Sequence, residues 1–181
     1  MLQVKEGQVE KMALLFERYH RALYGFLYHL TGEPELSEDL VQNVFYRMLK
    51  YRHTFSGEGE FRTWMYHLAR NALADAVKKT RPAAHHVDVT TVAERLGGGA
   101  AADEPLQRKQ ELEQLHRALE RLSTESREVL VLTRFQELPY ALVAQVLGTT
   151  EGAVKVRVHR ALGQLKEIYR KLENGSRIHE L

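Results

Sequence analysis

Apolar residues recur at steps of three and four positions along most of the chain, and this spacing is typical of amphipathic helices. In the first 80 residues the pattern predicts three helices, at about Val9–Leu30, Pro34–Tyr51 and Phe61–Lys79. Gly32 is suited to end the first helix in a left-handed conformation, and Pro34 is suited to open the second. The first part of the chain is therefore predicted to form a compact three-helix domain.

The third predicted helix separates into an apolar and a polar side when its residues are placed about 100° apart. The apolar side contains Phe61, Trp64, Met65, Leu68, Ala69, Ala72, Leu73 and Ala76, with the tryptophan expected at the centre of the core. The polar side contains Arg62, Thr63, Tyr66, His67, Arg70, Asn71 and Lys78. Cations, flat rings and amides together are suited to bind the phosphates and unpaired bases of nucleic acid. An ordinary solvated helix face is the alternative interpretation of this mixture.

Helical spacing is lost between residues 81 and 105, where Pro82, the pair His85-His86 and three consecutive glycines occur. This composition predicts a flexible linker. Residues 82–105 carry 1 Lys/Arg against 4 Asp/Glu, whereas the blocks on either side are mildly basic. The paired histidines have no further ligand cluster beside them, so we expect no metal site.

Helical spacing resumes in a second predicted domain, residues 106–175, which leaves 176–181 as a tail. Its boundaries are marked by residues that favour helix ends: serine and threonine as caps, glycine as a terminator. The expected parts are a helix marked by Leu112, Leu115, Leu119 and Leu122, a second capped by Ser123, a short helix Ala141–Leu147 ended by Gly148, and a last helix of about Glu151–Leu172 capped by Thr149 or Thr150. A helix, a glycine-containing turn and a helix predict a DNA-binding helix-turn-helix.

The last predicted helix concentrates positive charge on one face. Residues 155–171 contain 6 Lys/Arg and 1 acid. The face opposite the apolar side, with its flank, contains Lys155, Val156, Arg157, His159 and Arg160. Cations at a helix C-terminus are favoured by the helix dipole, but that effect does not explain Lys155 and Arg157 in the first turns. We therefore expect this face to bind the major groove of DNA.

Composition narrows the class of protein. The chain of 181 residues has 44% hydrophobic residues and no cysteine, which excludes disulfides, thiolate metal sites and cysteine nucleophiles. No apolar run approaches the ~18 residues of a membrane span, and the N-terminus has no leader-like apolar core, so we expect a cytoplasmic protein. No catalytic triad, phosphate loop or metal spacing is visible, so we expect no enzymatic activity, cofactor, metal or small-molecule substrate. The expected fold class is all-α, with two small helical domains joined by a flexible linker.

The chain resembles a known family, the extracytoplasmic-function (ECF) sigma factors of bacterial RNA polymerase. The strings SEDLVQNVFYRML and FRTWMYHLARNALADAVKK resemble the polymerase-binding and promoter-melting segments of sigma region 2. The string LSTESREVLVLTRFQELPYALVAQVLGTTEGAVKVRVHRAL resembles sigma region 4. Either domain alone is moderate evidence, because many regulators contain a helix-turn-helix. Both domains in this order and at this separation are strong evidence.

The resemblance implies three binding surfaces and no catalysis. Contacts with core RNA polymerase, through its largest and second-largest subunits, are expected from Asp39, Leu40, Gln42, Asn43 and Phe45. Contacts with the minus-ten promoter element are expected from Phe55, Arg62, Tyr66, His67, Arg70, Asn71 and Lys78. Contacts with the minus-thirty-five element are expected from Lys155, Val156, Arg157, His159 and Arg160. Many members of the family are held inactive by an anti-sigma factor, which is a further expected partner.

Several positions depart from the family pattern. Leu142 stands where an acidic residue is usual, Ala153 where threonine is frequent, Val156 where a small polar residue is common, and Thr150 where proline is frequent. The promoter sequence therefore does not follow from the resemblance. Two other functions stay open: a helix-turn-helix regulator that binds DNA unaided, and an adaptor that mimics a sigma factor and binds polymerase without opening a promoter.

Overall fold

The structure, a computed structural model, describes the backbone of residues 1–80 and 104–178 and the side chains of residues 1–79 and 111–173. All regular elements within these ranges are helical, which confirms the predicted fold class. The α-helices are α1 (Leu2–Lys5), α2 (Met12–Thr31), α3 (Pro34–Lys50), α4 (Phe61–Thr80), α5 (Glu104–Glu120), α6 (Thr124–Leu130), α7 (Tyr140–Leu147) and α8 (Glu151–Ile178). Short 3-10 turns precede α2 and follow α3, and a π-helical turn, Val131–Phe135, extends α6.

Several helix ends lie where glycine, serine and threonine residues predicted them. Gly32 ends α2 in the left-handed region with φ 74°, and Gly148 ends α7 in the same way with φ 62°. The Ser123 hydroxyl caps α6 by accepting a hydrogen bond from the Ser126 amide at 3.3 Å. Of the two expected caps of α8, Thr150 is the one that accepts a side-chain bond, from the Ala153 amide at 3.2 Å.

Two boundaries differ from the prediction. Helix α8 continues to Ile178, past the expected end at Leu172 and into the predicted tail, and it runs through both Gly163 and Gly175 without a proline to stop it. The predicted linker, residues 81–105, lies outside the described residues except for Glu104 and Pro105, which open α5.

The core of the first domain is formed where α2, α3 and α4 meet. Its fully buried side chains include Leu23, Phe26 and Leu27 from α2, Val44 and Met48 from α3, and Met65, Tyr66 and Ala69 from α4. The expectation that Trp64 would occupy the centre is wrong. Trp64 is only partly buried at the edge of the core, and Met65 and Tyr66 take the central place.

The two domains share one continuous hydrophobic core. Buried residues of α2 and α4 belong to the same cluster as buried residues of α6, α7 and α8. At the junction the rings of Phe26 and Tyr66 meet edge to face with centroids 5.0 Å apart. The sequence predicted two bodies held only by a linker, whereas this structure packs the second domain directly onto α2 and α4.

Two histidines lie in this junction. The His29 ring of α2 stacks on the His116 ring of α5 with centroids 5.0 Å apart, and its centroid lies 4.0 Å from that of Phe135. Burial, followed by the influence of His116, lowers the pKa of His29 to about 3. Burial also lowers the pKa of His116. Both rings are therefore neutral at pH 7 in the packed state.

These histidines predict a loss of stability in acid. The folded-state pKa of His29 lies below the unfolded value of about 6.5, so the unfolded chain binds the proton first and stability falls as pH drops below about 6.5. Each buried histidine contributes up to about 1.4 kcal/mol per pH unit in this window. We expect His29→Phe, which keeps an aromatic ring, to reduce the slope of unfolding free energy against pH without abolishing it, because His116 and His67, whose pKa values are also lowered, remain.

Urea unfolding followed by circular dichroism between about pH 7.5 and about pH 5 measures the slope. His53→Gln is the matched control, because His53 is exposed in the first domain. Equal slopes for the wild type and His29→Phe would contradict the assignment.

Candidate nucleic-acid interface

Helix α8 presents its predicted DNA face to solvent. Val154, Val158 and Ala161 are buried against the rest of the second domain, at 0%, 3% and 0% exposure. This packing turns the five residues predicted for the minus-thirty-five element outward: Lys155, Val156, Arg157, His159 and Arg160 are all exposed. Their contact with DNA stays a prediction.

The N-terminal half of α8 projects from a regular helix-turn-helix. Val143 and Val146 are fully buried in this motif. They hold α7, the left-handed turn at Gly148 and the first turns of α8 together. Leu142 is also buried at 5% exposure, so the apolar residue at this position fills the core of the motif. The Lys155 ammonium pairs with the Glu151 carboxylate at 3.0 Å, which leaves the arginines as the dominant charges of the face.

The predicted polymerase surface on α3 is smaller than expected. Asp39, Gln42 and Asn43 are exposed, and the Asn43 side-chain oxygen accepts a bond from Arg47 Nε at 2.6 Å. Leu40 and Phe45, in contrast, are 4% and 7% exposed and belong to the core. Helical periodicity turns both side chains inward, where they support the exposed residues, and their part in polymerase binding stays a prediction.

Phe55 is not available to hold a base in this arrangement, contrary to expectation. Its ring is 7% exposed and packs against Trp64 and Phe61 with centroids 5.4 and 6.0 Å away. The indole of Trp64 donates to the Thr54 hydroxyl at 3.3 Å, and Lys5 donates to the Phe55 carbonyl at 2.7 Å. Phe55 thus anchors the loop between α3 and α4 by its apolar side chain.

A polar groove lies beside this loop, between α3 and α4. Its volume is about 410 Å³, and it is lined by Arg47, Tyr51, Thr54, Leu68, Asn71, Ala74, Asp75 and Lys78. Arg47 pairs with Asp75 across the groove at 2.9 Å, and this hydrogen bond holds the pKa of the carboxyl below its usual range. The groove thereby brings an amide, a hydroxyl, a carboxylate and two cations together on one open surface.

Two of the predicted minus-ten residues, Asn71 and Lys78, lie in this groove and are exposed. Arg62 is also on the surface, where its guanidinium binds the Glu60 carboxylate at 2.8 Å. The sequence analysis did not assign Arg47, Tyr51, Thr54 and Asp75 to this site. The four-residue step from Asn71 to Asp75 was a usable signal, but the position of Arg47 depends on how α3 crosses α4.

The remaining predicted minus-ten residues face the second domain. Tyr66 is 2% exposed, and its hydroxyl lies 3.0 Å from the side-chain amide of Gln136, with which it is hydrogen-bonded. Arg70 pairs with Glu128 at 2.7 Å and donates to the Val146 carbonyl at 2.8 Å. His67 keeps an exposed side chain, with its pKa lowered by partial burial and by Arg70. The expectation that Tyr66 lies on a solvated face is wrong in this arrangement, because the second domain covers it.

Among the described residues, none of the helices combines the length and the hydropathy that a membrane span requires. The same part of the chain contains no group of three or more histidine, aspartate or glutamate side chains placed to hold a metal ion.

Comparison with known proteins agrees with this organisation. The family models Sigma-70 region 2 and Sigma-70 region 4 match residues 15–82 and 112–165. The ECF RNA polymerase sigma factor SigX of Bacillus subtilis is 27% identical over 164 residues, which are 87% of this chain and 83% of SigX. The ECF sigma factor BldN of Streptomyces coelicolor is 30% identical over 168 residues, which are 90% of this chain and 61% of BldN.

A solved structure with the same fold is that of the sigma factor RpoE from Bartonella quintana in complex with the anti-sigma factor NepR. Its TM-score is 0.71 at 22% identity, covering 89% of this chain and 98% of that one. Two helical domains that match regions 2 and 4, in this order, define a sigma-70-type transcription initiation factor. Within that class, the chain belongs to the ECF sigma factor family.

Proposed function

We propose that this chain binds core RNA polymerase in the cytoplasm, directs it to specific promoters and opens them, without catalysis of its own. The first domain docks on the polymerase through Asp39, Gln42 and Asn43 and binds the minus-ten element through the groove around Asn71. The second domain binds the minus-thirty-five element through α8. The main support for the proposal is that one sigma-type chain has two surfaces suited to bind DNA. These are the exposed basic face of α8 and the polar groove between α3 and α4.

The charges of the chain support a role that depends on the polymerase. Its formal net charge is only +2, whereas tight unaided DNA binding draws most of its affinity from phosphate neutralisation. Promoter opening would be driven by trapped, unstacked bases, each worth about 1–3 kcal/mol when stacked on a protein side chain. By analogy with the RpoE–NepR complex, an anti-sigma factor is the proposed regulator.

The rival functions differ in what the purified chain does. A stand-alone helix-turn-helix regulator would bind duplex DNA sequence-specifically without polymerase. A sigma-mimicking adaptor would bind polymerase but start no transcripts. Run-off transcription with purified core polymerase on a genomic promoter pool separates the three functions, because only a sigma factor creates new start sites.

The α8 face can be tested with Arg160→Ala. Loss of one DNA contact of this kind costs about 1–3 kcal/mol, so we expect run-off transcription to fall roughly tenfold or more at a limiting concentration of holoenzyme. Arg170→Ala is the matched control, since Arg170 is exposed on the same helix but lies outside the helix-turn-helix. If both variants transcribe as well as the wild type, α8 does not bind the upstream element as proposed.

The groove can be tested with Asn71→Ala. We expect this variant to bind core polymerase normally and to open the promoter roughly tenfold less, because Asn71 is exposed in the groove and not on the α3 docking surface. Native gels with labelled protein measure docking, and permanganate reactivity of unpaired thymines measures opening. Asn43→Ala is the reciprocal control: it should weaken docking and leave opening unchanged once the polymerase is saturated. Equal opening by Asn71→Ala and the wild type would exclude the groove as the base site.

A further inference from the structure

The N-terminal helix α1 packs against the loop that joins α3 to α4. Val4 of α1 is fully buried and belongs to the hydrophobic core, although α1 is only four residues long. The ammonium of Lys5 donates a hydrogen bond to the main-chain carbonyl of Phe55 at 2.7 Å, across 50 positions of sequence. The match to Sigma-70 region 2 begins only at residue 15, so nothing in that match gives α1 a role.

A second contact joins α1 to the same loop. The Leu2 side chain lies beside Gly57, and a β-carbon added at Gly57 would stand 2.7 Å from the Leu2 Cδ2 atom. Gly57 also has a φ of +83°, a conformation that residues with a β-carbon rarely adopt. The Leu2 side chain therefore occupies space that the glycine leaves open, and α1 contacts the loop at two separate points.

The Lys5 bond differs from the usual behaviour of an exposed lysine. Lysine side chains on a protein surface are mostly mobile, because holding one in place costs rotamer entropy. Here the ammonium donates to a carbonyl at short range, and hydrogen bonds with a charged donor are stronger than neutral ones. The ring of Phe55 is itself buried at 7% exposure, so the bond ties α1 to a fixed point of the loop.

The turn that α1 holds supplies part of the groove proposed to bind the minus-ten element. Tyr51 and Thr54 line this groove together with residues of α4. The Thr54 hydroxyl donates to the Tyr51 carbonyl at 2.7 Å and accepts from the Trp64 indole at 3.3 Å. Phe55 follows Thr54 directly, so the Lys5 bond fixes the neighbour of a groove-lining residue. The turn is thus held by α4 through Trp64 and by α1 through Lys5.

We propose that α1 is part of the minus-ten site, with Lys5 as a positioning residue that holds the loop so that its groove-lining side chains, Tyr51 and Thr54, meet an unpaired base. This inference rests on the proposed function, since it adds a positioning element to the same site. Lys5 itself touches neither base nor phosphate. A loop that is already ordered loses less conformational entropy when a base enters the groove, and such preorganisation raises affinity.

The contact is tested with substitutions in α1 itself. Lys5→Met removes the donor and keeps the approximate length of the side chain, whereas Lys5→Arg keeps a charged donor. Lys11→Met is the matched control, because Lys11 lies in the same N-terminal segment and its side chain makes no hydrogen bond among the described residues. Leu2→Ala tests the second contact; Leu2 is 51% exposed, so its truncation leaves the core intact. Circular dichroism establishes that each variant keeps its helices.

The first measurement is the mobility of the loop, which needs neither polymerase nor DNA. The chain has no cysteine, so a single spin label can be attached to Glu58→Cys, at an exposed position of the loop. In the otherwise unchanged full-length chain, the electron resonance spectrum should show a restricted label. We expect Lys5→Met to make the label clearly more mobile and Leu2→Ala to do so less. Lys5→Arg and Lys11→Met should leave the spectrum unchanged.

The second measurement is promoter opening by the holoenzyme, followed by permanganate reactivity of unpaired thymines. We expect Lys5→Met to open the promoter about fivefold less than wild type and Leu2→Ala about twofold less. Lys5→Arg and Lys11→Met should open it equally well. Docking on core polymerase, measured on native gels, should be the same for all variants, because α1 lies outside the α3 docking surface.

Salt dependence separates positioning from a direct contact with phosphate. Binding of the holoenzyme to a promoter with a premelted minus-ten element is measured at a series of salt concentrations. A lysine that neutralises a phosphate contributes about one unit to the slope of log affinity against log salt concentration. Lys5→Met should therefore bind more weakly with the same slope as wild type. A slope reduced by about one would mean that Lys5 binds DNA directly, and the positioning role would be wrong.

Three further results would overturn the proposal. Lys5→Met could leave the label restricted, or it could mobilise the label without reducing opening. Loss of core docking in Lys5→Met would mean that Lys5 supports the whole domain and not the groove in particular. Failure of the proposed function gives a different result: wild-type protein with core polymerase starts no transcripts, while the spin label still reports whether α1 holds the loop.

Discussion

Helix α4 is packed on both of its long sides, and the rest of the structure depends on this double packing. Met65, Ala69, Ala72 and the ring of Tyr66 fill the core of the first domain, while the Tyr66 hydroxyl and Arg70 make hydrogen bonds to the second. The polar side of this helix is therefore divided: Arg70 and the Tyr66 hydroxyl contact the second domain, whereas Asn71 and Lys78 stay exposed in the groove between α3 and α4.

Interactions within one or two helical turns explain which helix ends and exposed faces the sequence could predict. The ends of the helices follow from residues within one turn: Gly32 adopts the left-handed conformation, and Ser123 and Thr150 supply hydroxyls to otherwise unpaired amides. The exposed face of α8 follows from periodicity alone, because Val154 and Val158 must be buried together. The same principle explains why Asn71 is exposed. The all-α architecture and most of the α8 site were therefore accessible without coordinates.

Contacts between distant residues explain what the sequence could not predict. Tyr66 meets Gln136 across 70 positions, and Arg70 meets Glu128 across 58. Periodicity identifies a polar side but not what covers it, so both residues were expected in solvent. Arg47 and Asp75, 28 positions apart, define the groove in the same way. The burial of Phe55 was not foreseen for a related reason: it stands alone in a polar loop, and only the approach of Trp64 and Phe61 shows that it anchors this loop.

The junction between the domains contains features that weaken it. In the described part of the chain, two buried side-chain nitrogens have no hydrogen-bond partner, His29 Nδ1 and Arg127 Nε, and both lie at this junction. A buried unpaired polar group costs about 1–3 kcal/mol, and separation of the domains would return both atoms to water. Burial also lowers the pKa of Arg127, which shows that its charge is poorly solvated there. Native interiors retain few such groups, so their presence weakens this junction relative to a fully hydrogen-bonded core.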